Sequence, residues 1–427
     1  MVIHMKSFIK NQILLSVRKS VRRLVQLLRW LLLATGTGFV VGSFSTLFAY
    51  CIIWVTNYRQ EHPLIILGLP FAGLVIVLIY RLFNYANNKG TNLVLSTIHA
   101  ESDIPFKMAP LIFVTTLLTH LFGGSAGREG AALQLGGSIG NQLGRWLHLD
   151  EEDMRVLIMC GMSAAFSALF GTPMAAAIFS MEVVSVGVMY YAALVPCVFS
   201  SLIASNFAIN LGIRPENFVI EQIPKLGFAT GGKMILLALA CAGISALFCM
   251  LLHGLGDVFR EHIENPYKRI FFAGVMIVLL SAVFCTQDYL GAGIPLIERA
   301  MDGKAVWYAF LLKMLFTALT LEAGYKGGEI VPAFCVGATL GCLIGHILHM
   351  SPSLCAATGM IALFCGVTNC PVTSILIAFE LFGFEGVPYF LIAVSISYLM
   401  SGYHGLYQDQ SIIYSKYKAK YINKKTR

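Results

Sequence analysis

The apolar positions of this chain lie in long unbroken runs, not in the one-faced or alternating patterns of a soluble fold. No Asp, Glu, Lys or Arg occurs at residues 30–55, 183–213, 234–256 or 330–379. A bilayer-crossing helix needs about 20 apolar residues, so the last run is long enough for two, and Gly and Pro break it repeatedly. The polar stretches between runs are short, as at 257–269, and leave no room for a soluble domain. The pattern predicts an all-α, multi-pass membrane protein and excludes a large soluble protein with buried helices.

Composition agrees. The chain is 57% hydrophobic and 12% charged, about half the charge of a soluble domain. Its net charge of +8 is concentrated at the ends. Lys6, Lys10, Arg18, Lys19, Arg22, Arg23 and Arg29 precede the first run; Lys416, Lys418, Lys420, Lys424, Lys425 and Arg427 follow the last. Basic flanks stay cytoplasmic, so both termini are expected inside, against lipid headgroups and not nucleic acid. A secretory signal is not expected, because the first run follows a long basic segment and exceeds the length of a signal core. The eleven cysteines are scattered, with no CxxC and no Cys/His cluster. They read as small core residues, and neither a metal nor a cofactor is expected. His120 and His346 are lone on apolar segments, so packing or a single hydrogen bond is their default role.

The chain also resembles itself. At an offset of 201, Gly90-Thr91-Asn92-Leu93-Val94 aligns with Gly291-Ala292-Gly293-Ile294-Pro295, and Gly127-Arg128-Glu129 with Gly328-Glu329-Ile330. Gly136 and Gly140 fall on Gly337 and Gly341. At an offset of 198, the block from Gly161 through Thr172-Pro173 to Glu182 aligns with that from Gly359 through Cys370-Pro371 to Glu380. An odd number of spans per half makes the copies face opposite ways, which places a substrate site at the midplane between broken helices. The Gly-rich blocks are the candidate breaks: exposed amides at a helix start carry partial positive charge and satisfy an anion. The alternative for such glycines, above all Gly136 and Gly140, is close helix packing.

These blocks resemble those of the CLC family of anion channels and transporters. Gly127-Arg128-Glu129-Gly130 is similar to its GREGP block and Gly328-Glu329-Ile330-Val331-Pro332 to its GxFxP block. Gly90-Thr91 stands for GSGIP, with Gly291–Pro295 as counterpart. The similarity spans about residues 30–410. It implies a CLC fold: two inverted repeats of tilted, broken helices, about 16–18 in all, in a homodimer with one pore per subunit. It also implies anion contacts from Gly90, Thr91, Gly127, Arg128, Gly130, Gly328, Ile330 and Val331, and from the hydroxyl of Tyr407, with Tyr403 as competitor. Glu129 takes the gating place. It is a buried carboxylate that fills an anion site when ionised and leaves it when protonated.

Departures from the family pattern point to one branch. Ala131 replaces the proline of GREGP, and Thr91 the serine of GSGIP. Glu329 stands beside the pore, where it is a candidate for the proton pathway unless it pairs with Lys326. The chloride/proton exchangers carry two successive glutamates after the Pro173 turn; here Glu182-Val183 leaves the inner proton acceptor missing. No CBS domains follow. The set resembles the bacterial fluoride/proton antiporters, although Val331 stands where that branch often has threonine. Fluoride export by proton antiport is therefore expected, with a chloride channel or chloride/proton exchanger as the alternative. An organic-substrate transporter would need a larger cavity with selecting charges, and no HExxH or serine constellation signals an enzyme. The expected organisation is a basic N-terminal helix at 1–29, a first repeat at 30–213, a connection at 214–233, a second repeat at 234–410 and a basic tail at 411–427, in the cell membrane.

Overall fold

Small polar residues, glycine and proline start and stop the helices, inside the apolar runs as well as between them. Asp150 and Ser351 accept the Asp153 and Leu354 amides at 2.8 and 3.3 Å, opening two helices at equivalent places. Pro173 and Pro371 open two more. Gly171 and Asn369, both left-handed, close the helices before them.

The computed structural model describes residues 2–85, 90–99 and 104–426, with side chains from residue 13 onward. The side chains of Lys6 and Lys10, and all of Arg427, lie outside the described residues. The first half comprises α1 (Val2–Glu61), α2 (Leu69–Leu82), α3 (Thr91–Ile98), α4 (Met108–Leu121), α5 (Glu129–Trp146), α6 (Glu151–Phe170), α7 (Pro173–Glu182) and α8 (Leu194–Asn210). The second repeats it as α9 (Phe228–His262), α10 (Pro266–Val283), α11 (Ile294–Met301), α12 (Ala309–Ala323), α13 (Ile330–Ile347), α14 (Pro352–Thr368), α15 (Pro371–Phe382) and α16 (Val387–Met400). Among the described residues, seven helical segments are long and apolar enough to cross a membrane, and four more are short and apolar.

Packing follows the repeat. α5 lies on α6 as α13 lies on α14, and α1 on α8 as α9 on α16. Glycine makes the first two crossings close. A Cβ at Gly136 would meet the Gly161 carbonyl at 2.2 Å, and one at Gly341 the Cys355 carbonyl at 2.1 Å. Small residues are how helices approach in lipid, where tails compete for apolar surface. Gly136 and Gly140 are thus packing positions, as the alternative reading had it.

The copies are inverted. α7 and α15 run antiparallel, each ending in a glutamate that caps the other. Glu182 accepts the Val372 and Thr373 amides and the Thr373 hydroxyl at 3.0, 2.8 and 2.6 Å. Glu380 accepts the Met174 and Ala175 amides at 2.8 and 2.9 Å. A carboxylate on a helix N-terminus satisfies orphan donors and the dipole together.

Three details differ from the sequence reading. First, α1 runs unbroken from Val2 to Glu61, so residues 1–29 are not a separate helix. A basic stretch is a good helix former, and nothing in it breaks the turn. Second, the helix starts put Gly90 opposite Gly293, both N-caps with positive φ. The two halves are therefore two residues out of the assumed register here, because the connection before α11 is longer and that after it shorter. Third, the tail is not free. Ser185–Val186 (β1) pairs in parallel with Ser411–Tyr414 (β2), which pairs antiparallel with Tyr421–Lys425 (β3).

Candidate anion site at the paired helix starts

The extended segments before α5 and α13 cross at Gly127 and Gly328. Each donates to the other, Gly127 N to Gly328 O at 2.7 Å and Gly328 N to Gly127 O at 2.8 Å. Only glycine fits: a Cβ at Gly328 would stand 2.5 Å from the Gly130 nitrogen. The crossing brings two helix N-termini, one from each half, to one point.

The Glu129 carboxyl occupies that point, fully buried. Its Oε2 accepts the Arg128 amide at 3.0 Å and the Val331 amide at 3.4 Å, one donor from each half. Its Oε1 has no hydrogen-bond partner, and the nearest cation is Arg128 Nε at 3.9 Å. A carboxylate oxygen here stands in for a small anion: one negative charge on backbone amides in a dry, low-dielectric site. Arg128 itself is held aside by Glu216 at 3.1 Å and the Leu169 carbonyl at 3.3 Å.

The remaining expected residues fall around this point in different ways. Thr91 opens α3, and its hydroxyl lies 3.4 Å from the Gly130 carbonyl and 3.3 Å from the Gln134 amide. Gly90 caps the same helix. Ile330 and Gly130 supply further first-turn amides. Glu329 is the N-cap of α13, and its buried Oε2 has no partner. No Glu329–Lys326 ion pair forms; Lys326 Nζ lies over the Tyr80 ring at 4.7 Å.

After α16 the chain turns back beneath the α14–α15 turn. Asn369 Nδ2 holds it through the His404 carbonyl and Gln410 Oε1, and Gln410 donates to the Val183 and Thr368 carbonyls. This clamp buries Tyr407, whose hydroxyl has no partner, within electrostatic range of Glu129 and Glu329. The Tyr403 hydroxyl is engaged elsewhere, 2.7 Å from Ser415. His120 and His346 each make one backbone contact, to the Gly127 and Gly303 carbonyls.

A cavity of about 840 Å³ leads to Glu129, lined by Arg59, His120, Arg128, Glu216, Asp288 and residues 292–295 among others. Two cations near it escaped the sequence reading. Lys313, in the middle of α12, is fully buried and donates to Ser125 Oγ, the Tyr289 carbonyl and the Gly291 carbonyl at 3.0, 3.1 and 2.6 Å. Arg59 lies in the last turn of α1 and is 6% exposed. Both were findable, since a charge inside an apolar helix signals function or partnership by default. The reciprocal capping by Glu182 and Glu380 was also missed; its signal was their equal spacing from Pro173 and Pro371. No group of His, Cys, Asp and Glu among the described residues could hold a metal ion.

Two inverted bundles of broken helices that meet at amides around one carboxyl define a membrane protein for a small anion. The chain matches the family described as voltage gated chloride channel over residues 71–402. It is 36% identical over 398 residues to a "Chloride/fluoride channel protein" of Pseudomonas syringae pv. tomato, covering 91% of this chain and 88% of that protein. To an "H(+)/Cl(-) exchange transporter ClcA" of Cronobacter sakazakii it is 26% identical, covering 82% and 81%. A solved CLC-type fluoride/proton antiporter superposes with a TM-score of 0.87 at 33% identity, covering 90% of this chain and 98% of that one. A slow cyanobacterial Cl−/H+ antiporter shares the fold, with a TM-score of 0.78 at 19% identity. The chain belongs to the voltage-gated chloride channel family.

Proposed function

We propose that this protein exports fluoride in exchange for protons, as a homodimer with one pore per subunit, in the cell membrane with both termini cytoplasmic. The observation that carries the reading is the Glu129 carboxyl on amides from both halves. Anion and carboxylate are alternatives at one set of donors. Protonation removes the negative charge and weakens the hold of the amides, so a proton on Glu129 and an anion in its place favour each other. Occupancy of the two is thereby linked, which is the requirement for antiport.

Fluoride is favoured by the fluoride/proton antiporter structure at 33% identity, while the relative at 36% is named for fluoride and chloride together. The missing inner acceptor agrees, since Glu182 spends its oxygens on Val372 and Thr373. Glu329, with its unpartnered Oε2, is the residue through which protons reach Glu129. The free Tyr407 hydroxyl supports Tyr407 over Tyr403 as the anion ligand, beside the Thr91 hydroxyl and the amides near Gly130, Ile330 and Val331. A chloride channel or chloride/proton exchanger is the second reading, because backbone amides alone accept either halide; the ClcA relative is named for the exchange.

The test is efflux from proteoliposomes of purified protein, read with fluoride- and chloride-selective electrodes while external pH is recorded. Fluoride efflux accompanied by proton uptake is expected. Faster chloride efflux, with or without protons, transfers the assignment to the second reading.

A further inference from the structure

We infer that Arg59 forms a separate anion-capture site in the cavity above Glu129, where an anion waits before it displaces the carboxyl. This deepens the anion-transport reading and rests on it.

Arg59 is nine-tenths buried, yet its guanidinium makes one hydrogen bond, a long one of 3.4 Å to the His120 carbonyl. No carboxylate among the described residues lies within ion-pair distance of it. The other charges at the cavity are arranged differently. Arg128 is paired with Glu216 at 3.1 Å, Asp288 with Arg299 at 2.7 Å, and Glu298 stands exposed where water screens it. Nearby backbone acceptors are also taken. Gly291 lies against the guanidinium, so that a Cβ there would come 2.8 Å from Nη1, but its carbonyl is turned to Lys313. The Tyr289 carbonyl is turned the same way.

The second half supplies an internal control. α1 ends at Glu61 and α9 at His262, which sets Arg59 against Arg260. Arg260 is neutralised by Asp257, three residues earlier, at 2.8 Å. Thr56 holds the place of that aspartate in α1, and it lines the cavity. The repeat thus contains a neutralised arginine and a bare one, and the bare one faces the route to the gate. A buried unpaired cation is costly, and an anion arriving from the cavity satisfies it. A strongly held anion would stall, but this site offers one guanidinium and no cage, so release toward the amides of Glu129 remains easy.

The test compares wild type, Arg59→Gln, Arg59→Lys and Thr56→Asp in proteoliposomes, measuring anion efflux against anion concentration and ionic strength, with proton flux in parallel. Thr56→Asp installs the pairing of the second half while leaving the arginine at the helix end. In both Arg59→Gln and Thr56→Asp the KM for anion should rise roughly tenfold, with saturating rate and proton-to-anion ratio unchanged and a flatter salt dependence. Arg59→Lys should restore most of the affinity. If Arg59→Gln does not fold, judged by gel filtration and melting, Thr56→Asp decides alone. An unchanged KM in Thr56→Asp, or a fall in rate without a change in KM, overturns the site and leaves Arg59 a helix-end charge. A wild type that moves no small anion overturns the transport reading instead.

Discussion

The two halves are alike at the α7–α15 contact and unlike at the α5–α13 contact. At the first, Glu182 and Glu380 do the same thing to each other's helix. At the second, Arg128-Glu129 faces Glu329-Ile330, and only one half sends a carboxyl onto the shared amides. Two equal carboxyls cannot both occupy one anion site, because like charges in a dry site repel. Symmetry therefore serves the scaffold and has to break at the proposed gate. The same break recurs at Arg59 and Arg260, and again at Lys313, whose position in α4 is taken by the buried Ile112.

The sharpest way to break the comparison is to remove the charge of the proposed gate, Glu129. Glu129→Gln keeps the shape and abolishes the carboxylate that competes with the anion. Proton movement coupled to anion flux should fall by about a hundredfold or more, to leak level, while the anion faces an unguarded site. Coupled proton flux that persists in the mutant, recorded with a pH electrode during efflux, would remove Glu129 from this role.

A smaller effect is expected where the halves agree. Glu182 receives three donors and is buried; Glu380 receives two and is half-buried. A glutamine at either place turns an NH2 group toward a backbone N–H. Glu182→Gln should lower stability by about 2–3 kcal/mol and Glu380→Gln by about 1 kcal/mol, read as melting shifts in detergent with transport selectivity retained. Equal shifts would mean that exposure and donor number do not separate the two caps.

Glu329 sharpens the comparison from the other side, as the charged residue that the second half places at its helix start. Glu329→Gln should slow coupled exchange roughly tenfold, about 1.4 kcal/mol of barrier, while anion binding, measured by calorimetry, stays the same; the effect is smaller than that of a group which itself transfers the proton at the reacting centre. If exchange and stoichiometry both match wild type, protons reach Glu129 by another route.

Much of this was legible in the sequence because membrane constraints are severe. Runs without charge had to be helices, and Gly127-Arg128-Glu129 and Gly328-Glu329-Ile330 had to be breaks in them. The register at Gly90 was not legible, since glycines recur every second residue in Gly291-Ala292-Gly293 and either fits the letters. The α1 boundary failed for a different reason: polarity changes near Arg29, but helix geometry does not respond to polarity. The tail was missed because Ser411–Tyr414 is only four residues long, Tyr421–Lys425 carries two lysines, and Ser185–Val186, which pairs with the first of them, lies over two hundred residues away. Thr91 lies between these cases: the letters offer a hydroxyl at a helix start, but not its contacts to Gly130 and Gln134.

Those partners set the size of the last effect. The Thr91 hydroxyl donates to the Gly130 carbonyl at 3.4 Å and accepts from Gln134 Nε2 at 3.3 Å, both long contacts, so the carbonyl holds its proton loosely. Gln134 Oε1 is already without a partner. In Thr91→Val the Gln134 amide loses its acceptor as well, and the first turn of α5 loses a neighbouring donor. A small, strongly hydrated ion depends more on each close donor than a larger one does. The fluoride-to-chloride efflux ratio should therefore fall, but by only about threefold, the size of a weak net hydrogen bond of about 0.6 kcal/mol. The ratio is read in liposomes for wild type and mutant at matched protein density. A lowered melting temperature with an unchanged ratio would make Thr91 a support for Gln134 and not an anion ligand.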